Sequence, residues 1–210
     1  MKRLLLLIGL LTSITTCFSQ NAQDLFDSGV SKTELQDYRE SISDFTKAIE
    51  INPKMSKAYF NRGVAKFKLN DYQASISDFN KAIQIDPNDD QYYFGRGLSK
   101  HALEDYRGAI IDFNKTINLS SSNKEAFFCR ALSKSYLKNY EGAIQDYSKA
   151  INLDPRFQVA IYSRGLSRIS LSLEGSSNLL DLKENGCLDF SKAGELGYAE
   201  AYEAIKQFCN

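Results

Sequence analysis

Between residues 56 and 89, apolar and small side chains recur every three or four positions in two stretches, roughly Ala58 to Leu69 and Tyr72 to Ile85. That spacing marks one buried face of a helix. Asn70 and Asp71 interrupt the pattern between the stretches. Pro87 follows the second, and because the residue before a proline is pushed out of helical geometry, the helix must end there. The pattern predicts two short helices joined by a tight turn.

The pattern returns at a fixed interval. Pro53, Pro87 and Pro155 are 34 and 68 residues apart, with Ser121 in the skipped place. Small residues recur at Gly29, Gly63, Gly97, Ala131 and Gly165, and again at Ser41, Ser75, Ala109 and Ala143. Tyrosines recur at Tyr38, Tyr72, Tyr106 and Tyr140, and aromatics at Phe45, Phe79, Phe113 and Tyr147. Ala48, Ala82, Thr116 and Ala150 follow the aromatics by three residues, about one helical turn on. A hairpin of this size cannot bury its apolar face alone, so the period predicts stacked hairpins with a shared interior. The expected fold is all-α, a right-handed solenoid of antiparallel helical hairpins with units at about 22–55, 56–89, 90–123 and 124–157.

A fifth unit, 158–197, keeps Tyr162, Arg164 and Gly165 and then diverges. Asp189, Phe190, Ala193 and Leu196 repeat the spacing of Asp146, Tyr147, Ala150 and Leu153, but 43 residues on. The difference from 34 places a nine-residue insertion at about 171–185, expected as a loop, with the second helix resuming at Gly186. A capping helix is expected within 198–209, with Tyr198, Ala201, Tyr202, Ile205 and Phe208 on one face. It would cover the end of the last hairpin.

In order and spacing, Tyr59, Gly63, the Asp71-Tyr72 turn, Ser75, Phe79, Ala82 and Pro87 resemble the tetratricopeptide repeat. The resemblance covers about residues 22 to 157. It implies that the first helix of each hairpin lines a concave groove that holds extended peptides or partner helices. Carried onto this sequence, the implied lining is Phe60, Val64 and Phe67; Phe94, Leu98 and His101; Phe128, Leu132 and Tyr136; and Tyr162, Leu166 and Ile169. Part of such a stripe packs against neighbouring hairpins, since apolar residues at helical spacing usually do. Val64, Leu98 and Leu132 stand where the family's carboxylate-gripping groove has asparagine, so the implied groove is apolar and aromatic.

Residues 1–19 read differently from the rest. Lys2 and Arg3 precede an apolar run from Leu4 to Leu11 and a small polar stretch, the layout of a secretory signal peptide cleaved after Ser19. Residues 20–210 would then form a single exported domain, periplasmic or extracellular, with no later run long enough to span a bilayer. A second reading makes Cys17 a lipid anchor at a cell surface. Across the 210 residues, 26 basic and 26 acidic side chains cancel, which gives no reason to expect a nucleic-acid partner.

Candidate chemistry is sparse. His101 is the only histidine, no zinc-site spacing is present, and neither a phosphate loop nor a nucleophile elbow occurs. Neither a cofactor nor enzymatic activity is expected. Arg62, Arg96 and Arg130 lie four residues before Lys66, Lys100 and Lys134, on one helical face, and sixteen before Asp78, Asp112 and Asp146. Either each arginine clamps the aspartate of its own hairpin, or the basic stripe grips an acidic partner. The lysines suit the second role, since no further acidic column answers them. Three pairings are open to Cys129, Cys187 and Cys209; Cys187 with Cys209 is favoured because it would staple the cap to the last hairpin, the alternative being packed thiols. The expected function is a protein- or peptide-binding scaffold, with a structural subunit of a cell-envelope assembly as the alternative.

Overall fold

The computed structural model describes residues 21–174 and 178–209, which form eleven helices and no strand. Helix α1 spans 21–34, followed by α2 (Tyr38–Ile51), α3 (Ser56–Lys68), α4 (Tyr72–Ile85), α5 (Asp90–Ala102) and α6 (Tyr106–Leu119). Then come α7 (Lys124–Tyr136), α8 (Tyr140–Leu153), α9 (Gln158–Leu173), α10 (Leu179–Glu195) and α11 (Glu200–Phe208). The expected signal peptide and Cys17 lie outside the described residues. The chain divides into two compact units, one ending at Ser99 and the other starting at Lys100.

The turns of the first four hairpins share one construction. Gln36, Asn70, Glu104 and Lys138 take positive φ of 65°, 62°, 62° and 60°, the left-handed conformation that closes a helix. The next residue's N–H then reaches back five residues, as from Asp71 to the Lys66 carbonyl and from Asn139 to the Lys134 carbonyl. Asp71, Asp105 and Asn139 cap the second helices by accepting from the N–H groups of Ala74, Gly108 and Gly142. The Asn70-Asp71 break seen in the sequence is thus a helix stop followed at once by a helix start.

Packing explains the small columns. In the first unit a Cβ on Gly29 would lie 2.6 Å from the Phe45 ring, and Cβ atoms on Gly63 and Gly95 would lie 2.9 and 2.7 Å from Phe79. The aromatic of a second helix fills the space a missing side chain leaves on the first. In the second unit Ala131, Ala143, Tyr147, Ala150 and Ala160 make one buried cluster.

The fifth hairpin departs from expectation. The nine-residue insertion is largely helical: α9 has 16 residues against 13 in α7, and α10 starts at Leu179 rather than Gly186. Residues 179–185 contain no glycine or proline, so helical hydrogen bonds continue through them more cheaply than a loop would form. Gly165 and Gly186 let α9 and α10 approach closely; a Cβ on Gly186 would meet the Gly165 carbonyl at 3.2 Å. Helix α11 closes this end by burying Ala201 and Ala204 against Ile161, Ile169, Phe190 and Ala193. Tyr202, expected on that face, is exposed, and its hydroxyl donates to the Gly194 carbonyl. Ala204 takes the inward place.

Candidate functional site

The arginine column is engaged from within the repeats. Arg62 forks onto Asp78, with Nε and Nη2 at 2.9 and 2.7 Å from the two carboxylate oxygens, and Arg130 grips Asp146 the same way at 2.7 and 2.6 Å. Arg164 repeats the fork on Asp189. The lysines bond the aspartate column as well: Lys66 with Asp78 at 2.8 Å, Lys100 with Asp112 at 2.8 Å, Lys134 with Asp146 at 2.7 Å. One aspartate thus answers both cations in the Asp78 and Asp146 clusters, where the sequence reading left the lysine unanswered. In the first hairpin Ser28 and Lys32 both bond Asp44.

A further column ties each arginine to the preceding hairpin. The Nη1 atoms of Arg62, Arg96, Arg130 and Arg164 donate to Thr46, Asn80, Asn114 and Ser148. These acceptors went unread in the sequence, although each directly follows the aromatic column at Phe45, Phe79, Phe113 and Tyr147. Arg62, Arg96 and Arg130 also lie over the rings of Tyr59, Tyr93 and Phe127, a cation–π contact. The guanidinium therefore serves packing between repeats.

The implied groove lining divides by role. Phe60 sits between Phe79 and Tyr92 with ring centroids at 5.8 and 5.2 Å, Phe128 between Tyr147 and Phe157, and Tyr162 between Phe190 and Tyr198. These rings join a hairpin to the chain that follows. Ile169 is buried in the terminal core. Phe67 packs on Tyr72 at 5.3 Å. Val64, Phe94, Leu98, Leu132 and Leu166 are half-buried.

Leu132 and Leu166 border an open cleft of about 210 Å³ in the second unit. Ser135 and Tyr136 complete the α7 wall; Tyr140 and Tyr147 come from α8, and Ser163, Ser167 and Ser170 from α9. The cleft has a cause in the repeat. Ser135 is 34 residues after His101 and 68 after Phe67, so a hydroxymethyl group stands where earlier units carry a ring. Tyr136, read as groove lining, is its neighbour. Ser135 and Ser167 are hydrogen-bonded at 3.1 Å. Burial pushes the Tyr147 phenol up to about 12, against hydrogen bonds from Ser135 and Ser163 that favour its ionised form. It stays a neutral phenol at physiological pH.

Beside the cleft, Tyr106 and Tyr136 stack with centroids 4.7 Å apart and planes 7° from parallel. His101 meets both rings edge-on and bonds Ser133 through Nδ1 at 2.9 Å. Burial lowers the His101 pKa. The unfolded chain accepts a proton near pH 6.5, the folded one only at lower pH, so the unfolded state holds more protons in between and stability falls as pH drops through that window. His101→Phe, which restores the residue type of Phe67, is expected to abolish this component. Urea midpoints at pH 7.5 and 5.0 test it: a drop between the two pH values as large in the variant as in the wild type would assign the acid sensitivity elsewhere.

Cys129 is a free thiol that burial pushes up to about 12, which leaves it unreactive. Cys187 and Cys209 form a disulfide. Among the described residues no group of histidine, cysteine or carboxylate side chains is placed to hold a metal ion. No described helix is long and apolar enough to cross a membrane.

Residues 25–55, 56–89 and 125–157 match family models described as the tetratricopeptide repeat. No curated protein matches the chain by sequence. Among solved structures, MamA from Desulfovibrio magneticus RS-1 is similar with a TM-score of 0.76 and 17% identity, covering 84% of this chain and 94% of its own. YrrB, described as a TPR protein with an unusual peptide-binding site, gives 0.73 and 17%, covering 93% and 97%. The first TPR domain of Spaghetti (RPAP3), bound to the HSP90 peptide SRMEEVD, gives 0.56 and 27%, covering 57% and 94%. Repeat period, hairpin geometry and these likenesses agree that the chain carries tetratricopeptide repeats and has their all-helical fold.

Proposed function

We propose that the protein is an exported scaffold that binds a protein or peptide on the first-helix faces of its hairpins and catalyses no reaction. The observation that carries this reading is the α7/α8/α9 cleft, where Leu132, Tyr136 and Leu166 offer apolar and aromatic surface in a concavity, the usual form of a recognition site. Peptide binding by YrrB and by the RPAP3 domain supports it. The apolar column at Val64, Leu98 and Leu132 favours ligands that anchor through side chains other than carboxylates. The Arg62/Lys66 and Arg130/Lys134 pairs contribute little to capture, since Asp78 and Asp146 hold them. Export is supported by the pattern of residues 1–19 and by the Cys187–Cys209 bridge, because disulfides persist in oxidising compartments.

The test is affinity capture from envelope extract of the source cells with the wild type and a Leu132→Glu, Leu166→Glu double variant. Both leucines are half-buried at the cleft, and circular dichroism melts check that the variant folds. Partners retained by the wild type and lost by the folded variant are expected. Partners held equally by both would move recognition away from this face.

A further inference from the structure

We propose that the α7/α8/α9 cleft and the Tyr106–Tyr136 stack beside it receive a proline-rich segment in polyproline II conformation. This rests on the peptide-binding reading above and specifies the chemistry of the peptide.

Charge is the first argument. The cleft is lined by leucine, serine and tyrosine alone. Of the cations on the same helices, Arg130 and Lys134 are held by Asp146, Arg164 and Arg168 by Asp189, and Lys124 by Asp154, while the exposed Lys149 does not line the cleft. An acidic or basic peptide finds no charged side chain in the lining to answer it.

Size is the second. A volume of about 210 Å³ falls below the range of small-molecule pockets. A helix about 10–12 Å across does not enter it. One or two side chains of a thin extended segment do.

Hydrogen bonding and ring geometry then select among extended segments. A polyproline II helix makes no internal hydrogen bonds, and proline has no N–H, so such a segment presents carbonyl acceptors and apolar rings. The Tyr136 and Tyr140 hydroxyls have no hydrogen-bond partner among the described residues and supply donors. The Tyr136 ring is 59% exposed yet held by Tyr106 and His101. A pyrrolidine ring lies on such a prefixed platform at little entropic cost, as in other aromatic grooves for proline-rich peptides. A sugar, the competing ligand for a tyrosine platform, presents vicinal hydroxyls best met by carboxylate, amide or guanidinium groups; the lining contains none.

The test is calorimetric titration of the purified protein with decaproline, beside a glycine-serine decapeptide, an acidic decapeptide and a linear oligosaccharide. Decaproline is expected to bind saturably, about tenfold or more tightly than the others. Tyr136→Ser, and Ser170→Phe from the opposite wall, should each weaken it about tenfold or more with unchanged thermal melts, while Tyr136→Phe, which keeps the ring, should cost less than Tyr136→Ser. The proposal is overturned if decaproline binds no better than the glycine-serine peptide, if the oligosaccharide binds in its place, or if both cleft variants bind decaproline like the wild type. Loss of captured partners by the Leu132→Glu, Leu166→Glu variant alongside any of these results would leave the scaffold reading standing and remove only the proline chemistry.

Discussion

Asp146→Ala is expected to lower stability by about 3–5 kcal/mol, as removal of one member of a buried charge cluster does. The carboxylate is almost fully buried and receives Arg130 through both oxygens and Lys134 through one. Without it a guanidinium and an ammonium remain side by side, each four-fifths shielded from water, with like charges and no counter-ion. Arg130 keeps Asn114 and the Phe127 ring, but neither neutralises it. Removing the cluster whole should be far milder, since apolar side chains of similar size replace such networks at little net cost. Arg130→Leu and Lys134→Met added to Asp146→Ala should therefore recover most of the loss. Urea unfolding reads both variants through the transition midpoint. A shift for Asp146→Ala under about 1 kcal/mol would class the cluster with solvent-screened surface bridges. Full loss in the triple variant would mean that the ions themselves, and not merely their mutual compensation, hold the hairpins together.

This cluster also marks how far the sequence could be read. The sixteen-residue offset of arginine and aspartate was legible because a hairpin of two helices and a short turn places those positions opposite each other. That the lysine shares the same carboxylate was not, because one residue type can answer two columns and a pattern of spacings counts only one. Hairpins, turns and period were legible for a related reason: proline, the Asn70-Asp71 break and the small–aromatic columns impose local geometry wherever they occur. The fifth hairpin lacked such punctuation. Its insertion, expected as a loop from the repeat period, extends α9 and α10 because nothing in residues 179–185 stops a helix. The cleft was hidden differently. It arises from a residue that is smaller than its column, Ser135 after Phe67 and His101, and its remaining wall comes from tyrosines and serines that read as packing or as nothing in particular. A concavity is a property of what is missing, and it becomes visible only once neighbouring helices are in place.

Breaking the Cys187–Cys209 bridge is expected to cost about 3 kcal/mol, the value for a loop closed across 22 residues, and to lower the melting temperature by roughly 6–12 °C for a chain of this length. The effect should be local. Helix α11 has nine residues, too few to persist alone in water, and it is held by Ala201, Ala204, Ile205 and Phe208 against the α9/α10 core. In a repeat array each element is stabilised chiefly by its neighbours, so loss of the tether should free α11 first and wet Ile161, Phe190 and Ala193. Hydrogen exchange on the Cys187→Ser, Cys209→Ser variant separates local from global loss. Fast exchange confined to α11 and its contacts on α9 and α10, with α7 and α8 still protected, is the expected result. Unchanged protection of α11 would mean that apolar burial alone holds the cap. The bridge would then add nothing beyond the packing already there. Uniform loss across α7 to α11 would instead make the second unit one cooperative block, and the cap would be part of what holds the α9 wall of the cleft in place, since α9 serves both.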